Sequence, residues 1–389
     1  MGVPILDLQR QHGPLAGELT AAFERVLRSG QFIGGPEVER FEAAAAAVAG
    51  TRFAIGVSSG TDAILVALMA LGIGPGDEVI CPTFTFFATA GCVARVGARP
   101  VFADSRAECL NIDPEGIEPL ITARTKALLP VHLFGQPADM DPILEIARRR
   151  GIPVIEDAAQ AFGASYGGKP VGSLGDLATV SFFPTKNLGA LGDAGLVLTN
   201  DHVLAEKVRL LRNHGARERY FHSVVGGNFR LDALHAALLS VKLPHLAEYT
   251  AARQRHAGEY NRMLAPLNGS RILLPRVRPG RSHIVNQYTV RVCGGRRDGL
   301  SAHLRQRGID SAIYYPLPLH AQECFRDGAL PSLPVAEKAS REVLSLPVFP
   351  EMTAEEQGAV AAAISEFFGE EEVRSPKSEV RMRGLRSDC

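Results

Sequence analysis

The chain has 389 residues, with 42 Lys and Arg against 42 Asp and Glu, 46% hydrophobic residues and no tryptophan. Such a chain is globular and long enough to bury a large core, which excludes a disordered or fibrous class. A net charge of zero removes any global attraction to nucleic acid or to an anionic membrane surface.

Apolar spacing over 15–27 predicts an amphipathic helix, and the Ala-rich run 37–48 a second. FAIGVSS (53–59) reads as a short apolar strand that enters SGTDAILVALMAL, a helix with its own capping residues. GIGPGDEVICP is a turn and a strand, FFATAGCVARVG a helix, and ARPVFAD a strand ending in an acid. TKALLPVHLFG, IPVIEDAA and LATVSFF read as further strands, with the helix DPILEIARRRG between the first two. This alternation is the α/β pattern, and apolar strands without polar alternation imply a mainly parallel sheet covered on both faces.

From 202 to about 264 the composition shifts to long-helix material. HIVNQYTVRV then reads as a strand, GLSAHLRQRG as a helix, and SAIYYPLPLH as a strand and loop. AEKASREVLSLPVFP and TAEEQGAVAAAISEFF close the chain as helices. The expected organisation is a large α/β domain over 1–245, a smaller α+β domain over 246–369 and a charged, disordered tail over 370–389. The six cysteines form no CxxC pair and no zinc spacing, so no metal site is expected and reduced thiols in the cytoplasm are. The first residues carry no signal-peptide or myristoylation pattern. The longest apolar run, AILVALMALGI, is too short to span a bilayer, so no membrane association is expected.

Three segments carry candidate chemistry. TVSFFPTKNLGALGDAGLVLT holds one basic residue, Lys186, among apolar residues and glycines. It is either a snorkelling surface side chain or an amine whose pKa falls through desolvation, a nucleophile for carbonyl chemistry. IPVIEDAAQAFGA runs into Glu156 and Asp157 at a strand's C-terminal end, where open α/β sheets bind ligands. Such an acid either caps the next helix or faces a ligand cation such as a pyridinium. VSSGTDAILVAL is either a plain N-cap or an anion site, with Gly60 permitting close approach and Thr61 adding a hydroxyl. No G-x-G-x-x-G motif is present, which disfavours a nicotinamide oxidoreductase. A phosphate cradle, a carboxylate and a lysine are together what a pyridoxal phosphate site needs.

SSGTDA, CPTFTFFAT, PVHLFGQPADMDPI, PVIEDAAQAFGASY, SFFPTKNLGALGDAG, LRNHGA, GGNFRLDALHAALL and YYPLPLH follow one another as in the DegT/StrS-type sugar aminotransferases. The chain resembles that family from about residue 4 to 368. The resemblance implies a fold-type I aminotransferase-like architecture, with a mainly parallel, seven-stranded-type central sheet, flanking helices and a smaller C-terminal α+β domain. It implies pyridoxal 5'-phosphate as cofactor, Lys186 as its covalent anchor and proton shuttle, and Asp157 as partner of the pyridinium nitrogen. Gln160 matches the contact to the phenolic oxygen, and Ser181, Gly60 and Thr61 match the phosphate cradle. Phe86 matches the stacking aromatic, and Asn228 a phosphate contact from the neighbouring subunit, hence a homodimer with shared sites. Arg230, Tyr315 and His320 are candidate substrate contacts. The implied reaction moves an amino group from glutamate to a keto-sugar nucleotide; the alternative is a regulatory relative that binds the cofactor without catalysis. The sequence departs from the pattern at Tyr314, where many relatives have His, and at Ala194, where they have Gly. A dehydrating branch of the family replaces the lysine with histidine, and Lys186 speaks against that chemistry.

Overall fold

The computed structural model describes residues 2–326 and 331–374. Seven strands build the central sheet: β1 (Phe53–Val57), β2 (Glu78–Pro82), β3 (Arg99–Ala103), β4 (Thr125–Leu128), β5 (Ile155–Asp157), β6 (Leu177–Ser181) and β7 (Gly195–Thr199). Continuous ladders order them as β3-β2-β4 and β5-β6-β7-β1. Parallel bridges Leu128–Val154 and Val131–Asp157 join β4 to β5 across the seam. The β2–β3, β2–β4 and β5–β6 pairs are parallel, while β7 runs antiparallel to both β1 and β6. The sheet is therefore mainly parallel, as expected, with one reversed strand that the sequence reading did not place.

Helices cover both faces. On one side lie α1 (Ala16–Ser29), α2 (Pro36–Ala49) and, later in the chain, Ala233–Lys242; on the other lie α3 (Gly60–Ala70), α4 (Ala88–Arg95) and His202–Leu211. Strand β7 makes the two-sidedness explicit. Leu196 and Leu198 enter the first core and Val197 the second, all fully buried, as the period-two alternation of a strand requires. Helix α3 is buried almost all round, which explains why its apolar residues show no stripe. Following the chain, Met140–Arg150 is α5, His202–Leu211 α6, Ala233–Lys242 α7 and Leu246–Met263 α8.

The C-terminal part builds a small antiparallel sheet from β8 (Ile272–Leu273), β9 (Tyr288–Val292) and β10 (Val343–Leu346). Helices α9 (Arg297–Gln306), α10 (Pro334–Glu342) and α11 (Ala354–Arg374) flank it. Its core includes Val290, Leu300, Leu304, Leu344, Val360 and Ile364. Val3 bridges Ile309 and joins the same core, so the start of the chain packs here too.

Four local expectations change. The helix-like 336–350 breaks after Glu342, and VLSL becomes β10 because it completes the ladder with Tyr288–Arg291. The strand expected in SAIYYPLPLH is reduced to a single bridge, Ala312–Ser345. The helical stretch 202–264 is interrupted by a short hairpin pairing Ala216–Glu218 with Phe221–His222. The tail expected from residue 370 begins inside α11, which runs to Arg374; residues 375–389 lie outside the described residues.

Candidate active site

The C-terminal end of β1 turns into α3 through Ser58 and Ser59. Ser59 Oγ accepts from Asp62 N–H at 3.0 Å, and Ser58 Oγ donates to Asp62 Oδ2 at 2.6 Å. The capping reading of this turn is thus correct, and it leaves the N–H groups of Gly60 and Thr61 without an intrahelical acceptor. Ser181, the last residue of β6, stands directly against this helix start. A Cβ on Gly60 would lie 2.5 Å from Ser181 Cβ and 3.0 Å from its Oγ. A Cβ on Gly195 would meet the Ser59 carbonyl at 2.5 Å. Glycine at both positions lets two backbone N–H groups, a hydroxyl and a helix dipole converge, which is a phosphate cradle in its donor set.

Glu156 and Asp157 are adjacent on β5 and so point to opposite faces. Glu156 is buried and spent on structure: it accepts from the N–H groups of Gly172, Leu174 and Gly175 at 2.8–3.0 Å. It also meets His132 Nε2 at 3.0 Å. Because His132 Nδ1 accepts from Ala138 N–H, His132 donates through Nε2. Asp157 faces the site, 4% exposed. Thr89 Oγ donates to its Oδ2 at 2.9 Å and Ala159 N–H to its Oδ1 at 3.1 Å. Burial pushes its carboxyl above the usual range, against these hydrogen bonds and the nearby Lys186.

Lys186 sits on the connection between β6 and β7. That loop is fixed from several sides. Lys186 N–H donates to the Phe183 carbonyl and Ala190 N–H to that of Phe182. Asn187 Nδ2 donates to the Ile284 carbonyl at 2.8 Å, and the buried Lys242 ammonium to that of Gly189 at 2.5 Å. The Lys186 amine lines a small cavity with Ala159, Gln160, Phe162, Ser181 and Asn286. Desolvation pushes its pKa down to about 8, with Asp157 pulling the other way. A lowered pKa favours the neutral amine, which supports the nucleophile over the snorkelling side chain.

Gln160 bridges the large and small parts of the fold. Its Oε1 accepts from Phe134 N–H at 2.6 Å, and its Nε2 donates to the Tyr315 hydroxyl at 3.3 Å. Burial raises the Tyr315 pKa, so it stays a neutral phenol. The Phe86 ring lies 6.3 Å from that of Tyr315 and is 57% exposed, an aromatic face free to take a flat ligand.

The chain thus brings together Lys186, Asp157, Gln160, Ser181, Gly60, Thr61, Phe86 and Tyr315. Three other candidates stand apart. His320 is 3% exposed, with Nδ1 on Thr83 Oγ at 2.7 Å and Nε2 3.6 Å from Glu337, so its ring is committed within the protein. Asn228 is exposed and bridges Asn213. Arg230 bridges Val57 through its backbone and donates to Asn213 Oδ1 at 2.8 Å. The sequence reading missed Thr89, whose signal was its place in the first turn of a helix following β2, and His132, hidden in PVHLFG. A larger cleft of about 410 Å³ runs between 107–110 and 268–276. It shares no lining residue with the Lys186 cavity.

This donor set fits pyridoxal phosphate. The cradle's donors suit a phosphate, the buried carboxylate matches a ring cation, and the desolvated amine matches an aldehyde.

The sequence profile of the DegT/DnrJ/EryC1/StrS aminotransferase family matches residues 15–365. A protein of Geobacillus stearothermophilus named pleiotropic regulatory protein is 51% identical, over 95% of this chain and 99% of its own length. UDP-N-acetyl-3-dehydro-α-D-glucosamine 3-aminotransferase of Acidithiobacillus ferrooxidans is 46% identical, over 93% and 97%. The crystal structure of DesV from S. venezuelae superposes with a TM-score of 0.91 at 46% identity, covering 94% of this chain and 98% of that one.

Proposed function

The chain belongs to the DegT/DnrJ/EryC1/StrS aminotransferase family, and from that premise we propose that it is a pyridoxal phosphate enzyme carrying an amino group from glutamate to a 3-keto-sugar nucleotide. The observation that carries this reading is the desolvated Lys186 amine beside the buried Asp157 carboxylate. The reacting carbon, C3, is taken from the Acidithiobacillus relative, which is named for a 3-dehydro sugar on UDP.

When bound, pyridoxal phosphate supplies an aldehyde that receives an amine and a ring that takes up electron density. The residues would divide the remaining work. Gly60, Thr61 and Ser181 would hold the phosphate. Asp157 would hold a proton at the ring nitrogen, and Gln160 would serve the phenolic oxygen. Phe86 would cover a ring face. Lys186 would hold the aldehyde and would be the group that moves a proton at the α-carbon of glutamate and at the carbonyl carbon of the sugar. The net change is glutamate plus keto-sugar to 2-oxoglutarate plus amino-sugar.

A homodimer fits this reading. Asn228 and Arg230 flank the Ser58–Ser59 turn on the outer surface, where Ser58 N–H donates to the Phe229 carbonyl. Phe32 and Ile33, next to Asp232, are exposed, as are Phe183 and Leu191 beside the Lys186 loop. A second copy covering these apolar side chains puts its Asn228 at the phosphate. The five cysteines among the described residues are free, which suits a reducing cytoplasm. Among the described residues no helix is long and apolar enough to cross a membrane.

The test uses 15N-glutamate and a panel of UDP and dTDP 3-keto-sugars. The expected outcome is a cofactor absorption band that bleaches on glutamate addition, and label in the sugar amine. A loaded protein that never bleaches with any amino donor supports instead a regulatory cofactor binder, as the name of the Geobacillus relative suggests.

A further inference from the structure

Asp157 has two demands on it that conflict. It sits at the end of an apolar strand, 4% exposed, where burial favours the neutral acid. Yet its work on a ring cation needs the charged form. The structure contains a device for this. Thr89 is fully buried in the first turn of α4, and Thr85 is 3% exposed. Thr89 Oγ lies 2.9 Å from Asp157 Oδ2, and Thr85 Oγ lies 3.2 Å from Thr89 Oγ.

The direction of these bonds follows from the acceptor. An ionised carboxylate only accepts, so Thr89 must donate its single hydroxyl proton to Oδ2. The Thr89 oxygen then accepts from Thr85. The wire runs Thr85 to Thr89 to Asp157, and Ala159 N–H fixes the other oxygen. Each carboxylate oxygen then keeps one lone pair, available for a ligand proton. We propose that Thr89, backed by Thr85, is the positioning residue that aims the Asp157 carboxylate at the cofactor's ring nitrogen.

This assignment rests on reading the pocket as a pyridoxal phosphate site. The charged and titratable groups facing Asp157 are Lys186, His132, Cys92 and Tyr315. Burial pushes the Cys92 thiol up to about 12 and raises the Tyr315 phenol, so both stay neutral and neither competes with the wire. Lys186 favours the charged carboxylate, and neither it nor His132 makes a side-chain hydrogen bond to the carboxylate among the described residues. Thr89 is then the one side-chain donor to Asp157 among the described residues.

The experiment compares wild-type, Thr89→Val and Thr89→Ser holoenzyme, with the pyridoxal phosphate dissociation constant followed by absorbance from acid to neutral pH. Valine keeps the shape and removes the hydroxyl; serine does the reverse. Losing a hydrogen bond to a charged group weakens binding about tenfold or more. The missing donor also moves the acid limb of the binding profile upward by about one pH unit. Serine stays close to wild type in both. If valine matches wild type in affinity and acid limb, or serine and valine are equally weakened, the assignment is overturned. Should Thr89→Val lose its fold by circular dichroism, Thr89→Ser against Thr89→Ala isolates the hydroxyl, and equal affinities overturn it again. A wild-type chain that takes up no pyridoxal phosphate refutes the functional reading and this proposal together. Normal uptake with an indifferent Thr89 refutes the proposal and leaves the functional reading standing.

Discussion

In the proposed cofactor site Gly60 packs tightly against Ser181, and Gly60→Ala puts a defined load on that contact. The new Cβ would stand 2.5 Å from Ser181 Cβ and 3.0 Å from Ser181 Cα. Carbon atoms pack best at about 3.5–4.0 Å, so the shortfall is about 1 Å. Neither atom is the loose end of a side chain: one belongs to the first turn of α3, the other to the backbone end of β6. Relief requires those two elements to part. Overpacking of this kind destabilises by about 1–3 kcal/mol. Parting by about 1 Å also spreads the Gly60 and Thr61 N–H groups away from the Ser181 hydroxyl. Losing one such charge-assisted contact removes about 1.5–3 kcal/mol, a ten- to hundredfold loss in phosphate affinity. Calorimetric titration of the full chain with pyridoxal phosphate, and separately with pyridoxal, reads this out. The variant loses affinity for the phosphorylated compound while its capture of pyridoxal by Lys186 changes little. Gly60→Ala with Ser181→Gly recovers the melting temperature but not the phosphate affinity. Unchanged phosphate affinity in Gly60→Ala, or an equal loss for pyridoxal, would show that the cradle is not where we place it.

Other expectations follow from the same geometry. Capture of pyridoxal by the full chain depends on the neutral Lys186 amine, so its rate climbs as pH rises through about 8 and then levels; a half-rise near the ordinary lysine value of 10.5 refutes the desolvation argument. Lys186→Ala shows no capture at any pH. Glu156→Gln mismatches a carboxylate that receives three N–H groups and His132, and loses about 1–3 kcal/mol in denaturant unfolding while the pH profile of pyridoxal capture stays put. Mixing inactive Lys186→Ala and Asn228→Ala subunits restores up to about a quarter of the sites by random pairing if Asn228 serves the partner; no recovery after subunit exchange removes Asn228 from the shared site.

Much of this site was visible in the order of the residues, because a strand, a small-residue turn and a helix announce themselves over a few positions. Ser59 to Ala70 and Ile155 to Asp157 are such local signals. What escaped depends on partners far along the chain. Residues 343–346 look helical beside α10 and become a strand because β9 offers a free edge. Strand β7 is five buried residues in a glycine-rich segment, and its direction follows from β1 and β6 together. Thr89 matters through Asp157, 68 positions away. His320 looked like a pocket residue next to YYP, yet Thr83 draws it inward from 237 positions away. The two adjacent acids, 156 and 157, could not be told apart by composition; the alternation of β5 gives one to the fold and the other to chemistry.

The reversed strand also sets an order of events. Val57 pairs with Gly195 and Phe53 with Thr199, so the first strand waits for a segment synthesised well over a hundred residues later. Gly195 leaves no room for a Cβ beside the Ser59 carbonyl, so the turn after β1 takes its final shape when that late strand slides into place. Contacts of such long range are slow to form. On the ribosome, a chain that ends before residue 195 carries every residue of the Asp157 strand and Lys186 itself, yet holds an unfinished cradle. The turn after β1 is therefore completed only once β7 has joined β1 and β6.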